Sequence, residues 1–141
     1  MELLNSLIDY GIMGLLVFMS IASVGIAIER YLYIKNIDLK KFNDKRALEL
    51  DLTNRLYLLA SIGSNAPYIG LLGTVLGIIL TFYTIGAEGI MDSGKIMIAL
   101  ALTMKVTAAG LIVAIPSVFM YNILIRKIRV VITNWEIESG R

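Results

Sequence analysis

Among the polar side chains that interrupt the two longest apolar stretches of this sequence, Thr74, Thr107 and Lys105 are those whose chemistry could matter most. A hydroxyl carries one donor proton and two acceptor lone pairs, so two threonines at one depth can line a wet path for a proton. Each can equally bond the carbonyl one turn back in its own helix, and the residues alone leave both readings open. A lysine in mid-helix inside hydrocarbon costs about 2.5–3.5 kcal/mol and marks a functional position by default. Beyond these groups the chemical inventory is narrow. The 141 residues contain no cysteine and no histidine, which excludes disulfides, thiolate nucleophiles, imidazole metal ligands and a histidine general base. No metal, no cofactor and no enzymatic activity is expected. A net charge of +2 without a clustered basic face gives no reason to expect nucleic acid. The stretch Gly70 to Gly77 is rich in glycine but lacks the Gly-Lys-Ser/Thr ending of a phosphate loop.

The elements that must carry these residues follow from composition. Hydrophobic residues make up 57% of the chain and charged residues only 17%, against about 45–50% and 25% in soluble domains. Residues 10–28 and 56–87 hold no charge, and residues 96–125 hold only Lys105. Each run exceeds or approaches the roughly 20 residues that cross a hydrocarbon core. The expectation is an all-α integral membrane protein forming a single domain over residues 1–141. Its spans lie at about 7–28, 60–85 and 96–125, with a loop at 29–55, a turn at 86–95 and a tail at 126–141. The second and third runs are long enough to continue into water, at the Arg55 and Arg126 ends. The start lacks a basic n-region and a small-residue cleavage site, so the first run is expected to stay as an anchor. Seven Lys/Arg fall in 29–55 and four in 126–141, whereas 1–6 has none and 86–95 only Lys95. The basic side faces the cytoplasm, which places the N-terminus outside and the C-terminus inside. Five acids accompany the loop's seven bases, the pattern of a solvated amphipathic connection.

The second and third runs meet at one turn and so form an antiparallel hairpin. Thr74 and Thr107 are equidistant from its centre, and Pro67 and Pro116 nearly so. At 1.5 Å per residue the threonines lie roughly 16–20 Å from the turn, in mid-membrane. Steps of four and three along the third span pass through Ala99, Thr103, Thr107, Gly110, Ala114, Ser117 and Tyr121. The second span matches this with Gly63, Ala66, Gly70, Gly73, Gly77, Thr81 and Thr84. Such faces suit close helix packing, as in Gly73-x-x-x-Gly77, or a water-lined path. Pro67 and Pro116 free the carbonyls of Gly63 and Ile112, to be met by a kink, or by a polar vestibule near Ser61, Ser64 and Asn65. Lys105 points about 200° away from Thr107, toward a partner, a subunit or a lipid phosphate. Asp9 is placed near the outer end of the first span, with no carboxylate clearly level with Lys105.

Two segments resemble the signatures of the bacterial ExbB/TolQ/MotA proton-channel family, closest to its ExbB branch. They are Asn65-Ala66-Pro67-Tyr68-Ile69-Gly70-Leu71-Leu72-Gly73-Thr74-Val75-Leu76-Gly77-Ile78 and Thr107-Ala108-Ala109-Gly110-Leu111-Ile112-Val113-Ala114-Ile115-Pro116-Ser117-Val118, followed by Tyr121-Asn122. The resemblance implies a homopentamer in the bacterial inner membrane, around the single spans of an ExbD-like partner. That motor would use proton flow to energise a TonB-like protein and so drive outer-membrane uptake of iron complexes and similar nutrients. Thr74 and Thr107 match the family's pore threonines, Thr103 and Thr81 extend the path, and the titrating aspartate belongs to the partner. One departure is Leu102, where many relatives carry a glutamate. The sibling reading is a TolQ-like subunit of the Tol envelope system. A reading of another class is a non-conducting membrane scaffold whose small-residue faces serve packing alone.

Overall fold

The computed structural model describes residues 2–89 and 92–140; residues 90 and 91 of the expected turn, and Arg141 of the tail, lie outside the described residues. All regular structure among the described residues is helical. Helix α1 spans Glu2–Lys35, α2 Lys45–Leu52, α3 Leu56–Glu88 and α4 Ser93–Ser139, with one 3-10 turn at Leu39–Lys41. Three of these, α1, α3 and α4, are long and apolar enough to cross a membrane.

The boundaries follow from local chemistry. Asp92 caps α4 by accepting from the N–H groups of Gly94 and Lys95, and Asp44 does the same for α2 through Arg46 N–H. Gly89 ends α3 in the left-handed region, its N–H bonding the Ile85 carbonyl. The α3–α4 connection is therefore tighter than 86–95: helix persists to Glu88 and resumes at Ser93. At the other end α4 runs unbroken through the expected tail to Ser139. The expected 29–55 connection is also more structured, since α1 continues to Lys35 and α2 follows. Helix α3 starts only after Arg55, which itself reverses the chain at φ 69°.

Helices α3 and α4 pack along their small-residue stripes, and α1 lies across both. At Gly110 an added Cβ would stand 2.6 Å from the Ala66 carbonyl and 3.0 Å from Gly70 Cα; at Gly70 it would stand 2.8 Å from the Val106 carbonyl. Those obstacles are backbone, which no rotamer change removes. The register of α1 is set by a hydrogen bond of 2.7 Å between the Ser23 and Ser117 hydroxyls, both 1% exposed. Ser117 also donates to its own Val113 carbonyl, so Ser23 relies on Ser117 as its acceptor.

Two apolar cores differ in kind. Midway along the bundle Leu16 packs on Ala66 and Ala114. At the basic end Leu48 and Leu52 of α2 and Leu56, the first residue of α3, pack with Leu124, Ile128 and Trp135 of α4. The middle of the bundle relies on close packing of small residues, the kind of contact by which helices associate in lipid, and the basic end on burial of bulky apolar side chains.

Gly110→Ala is expected to separate α3 from α4 and destabilise the chain by about 1–3 kcal/mol. Gly86→Ala, with nothing within 4 Å of the added Cβ, is expected to be neutral or slightly stabilising. Removing the acceptor in Ser117→Ala is expected to cost about 1–2 kcal/mol, and more than Ser23→Ala, which leaves Ser117 its Val113 bond. Unfolding titrations in mixed micelles measure all four variants.

Candidate functional site

The Gly70–Gly110 contact brings Thr74 and Thr107 together, and their hydroxyls hydrogen-bond directly, either one able to be the donor. Both side chains are half-buried. Thr74 also reaches the Gly70 carbonyl at 3.2 Å and the Thr103 carbonyl at 3.3 Å, and Thr107 reaches the Gly70 carbonyl at 3.4 Å. Each hydroxyl has one proton, so not all these bonds form at once. Thr107 can donate to Thr74 while Thr74 donates to a carbonyl, or the pair can reverse, with Thr74 donating to Thr107 and Thr107 to Gly70. Both arrangements leave every donor satisfied, which is what a group that passes hydrogen bonds along a path requires.

The hydroxyls of the other expected path residues, Thr81 and Thr103, do not join this pair. Thr81 donates to Gly77 and Thr103 to Ala99, each one turn back in its own helix. Both instead line a crevice of about 180 Å³ between α1, α3 and α4, together with Asn5, Asp9 and Leu102. Gly73 and Gly77 form its floor against Val106 and Thr103. Pro67 and Pro116 lie inside unbroken helices. Near Pro67 the Ser64 hydroxyl and Asn65 amide turn back to the Ser61 carbonyl, so this polar cluster bonds its own helix.

Asp9 is placed differently from the sequence expectation. The Ser23–Ser117 bond joins residues 94 apart on α1 and α4, and both helices run away from the turn end. The same offset sets Asp9 level with Thr103, beside which it lines the crevice. Lys105 is two residues further along, about 3 Å in depth. A carboxylate therefore does match the lysine's depth. Spacing reads the register of α3 and α4 because one turn joins them, but nothing in it relates α1 to α4.

At the basic end lies a polar group that sequence reasoning missed. Arg30 is 4% exposed; it pairs with Glu29 at 2.6 Å and donates to the Asp51 carbonyl at 2.9 Å. It also lies 4.4 Å over the Tyr33 ring, whose hydroxyl bonds the Asp51 carboxylate. Trp135 donates its indole N–H to the Phe42 carbonyl at 3.2 Å. Lys45 pairs with Glu136 at 2.6 Å, and that hydrogen-bonded carboxylate holds the Lys45 ammonium above the usual lysine range. The chain's one tryptophan and its adjacent Glu29-Arg30 pair were the available signals. No group of three or more potential metal-ligating side chains gathers among the described residues.

Three membrane-length helices, two joined through glycine backbones around a reversible hydroxyl pair, define the class as a polytopic membrane protein. The chain belongs to the MotA/TolQ/ExbB proton channel family, whose pattern residues 20–137 match. It is 55% identical over 140 residues to the biopolymer transport protein ExbB of Aquifex aeolicus, covering 99% of this chain and 95% of that one. It is 48% identical over 134 residues to the putative biopolymer transport protein ExbB-like 2 of Helicobacter pylori strain 26695, covering 95% and 89%. Against the ExbB of Helicobacter pylori strain J99 it is 46% identical over 127 residues, covering 90% and 88%. These relatives are similarly short, so the likeness runs nearly end to end.

Proposed function

We propose that this chain is the channel-forming subunit of an ExbB-type motor, in which proton flow through a homo-oligomer, a pentamer by family resemblance, energises a TonB-like protein. Full-length similarity to ExbB proteins supports the energising role. The Thr74–Thr107 pair carries the reading at residue level. It is polar, half-buried and reversible, midway along the hairpin of α3 and α4.

An ExbD-like single-span partner supplies the titrating aspartate, and the threonine hydroxyls face it as donors or acceptors according to its protonation. Protons are the coupling ion. One charge moved through 100 mV is worth about 2.3 kcal/mol, so a few protons suffice for a mechanical step. The excess of Lys and Arg at the α2 end supports an N-terminus in the periplasm and a C-terminus in the cytoplasm. In that orientation α2 and the last turns of α4 stand beyond the bilayer. The many exposed apolar side chains of α1, such as Phe18 and Ile21, suit lipid or a second copy.

Proton uptake into proteoliposomes holding this chain and its single-span partner tests the proposal. Thr74→Val and Thr107→Val keep side-chain shape while removing the hydroxyl, and each is expected to lower flux about tenfold or more, with native mass showing the complex intact. Unchanged flux in both variants would assign the pair to helix packing and leave a scaffold.

A further inference from the structure

Lys105 and Asp9 are opposite charges at nearly one depth, and among the described residues neither has a hydrogen bond or ion pair. Ionisable groups inside a membrane pair with one another or with backbone carbonyls. The helical positions bring these two to the same groove. On α4, Lys105 lies within about 20° of Ile112 and 40° of Ala109, both of which line the groove between α1 and α4. On α1, Asp9 lies within about 20° of Leu16 and Ser20, which line the opposite wall of that groove. Helical side chains lean toward their own N-terminus. For Lys105 that lean is toward the turn end of α4, the direction in which Asp9 is displaced. Lys105 is exposed and Asp9 half-buried, and the crevice beside Asp9 has room for an ammonium group, at about 180 Å³.

We propose that Lys105 and Asp9 of the same chain form an ion pair across the α1–α4 groove inside the membrane. The lysine side chain swings along the groove into the crevice lined by Asn5, Thr81 and Thr103, and α1 is held to α4 by charge as well as by Ser23–Ser117. The pairing does not depend on proton conduction, and its test is read on stability and proximity.

The unfolding equilibrium in mixed micelles is measured for Asp9→Asn, Lys105→Met and the double variant. The expected result is a coupling of about tenfold in that equilibrium, the double being less destabilised than the product of the singles. Exchanging the charges, Asp9→Lys with Lys105→Asp, is expected to regain most of the natural stability. Additive effects overturn the pair. Should a single variant fail to accumulate, proximity decides. The chain has no cysteine, so a short thiol cross-linker applied in membranes reads only Asp9→Cys and Lys105→Cys. An adduct within one chain supports the pair. An adduct between a tagged copy carrying one cysteine and an untagged copy carrying the other, or no adduct at all, overturns it.

Discussion

The backbone approach of α3 and α4 at Gly70 and Gly110 is the constraint on which the rest depends. A Cβ added at Gly110 would fall 2.6 Å from the Ala66 carbonyl oxygen, so the two backbones leave no room for a side chain between them. That closeness lets two short hydroxyl side chains meet without a bridging water, and it sets the floor of the crevice beside Asp9. A side chain at either glycine would push the helices, and the threonines with them, apart; at Gly70 the added Cβ would itself stand 3.2 Å from Thr107 Cα.

One bundle is held together in two ways. Along its middle, small residues, hydroxyl pairs and backbone proximity hold the helices together. Toward the basic end, leucines and a tryptophan assemble a core of bulky side chains, and Arg30 neutralises Glu29 while tying α1 to the end of α2. The short connection thus has no core of its own; it completes one with α4, which is why so few residues between α1 and α3 hold a defined shape.

What was legible in the residues was whatever one turn or one periodicity controls. The three apolar runs, the small-residue stripes and the meeting of Thr74 with Thr107 all follow from helix rise and a single hairpin. Thr81 and Thr103 share that stripe, yet their own preceding-turn carbonyls satisfy them, a choice between local bonds that spacing does not decide. The level of Asp9 depended on packing between helices that no short connection joins. The core at the basic end was hidden because its leucines sit in a segment whose mixed charges read as solvated surface.

The hydroxyl pair at the centre of the hairpin is symmetric in what it can donate and accept. As the relay proposed above, such a pair would have no preferred sense of travel, and any direction would have to be imposed from outside it, by the membrane potential and by asymmetry in whatever the chain assembles with.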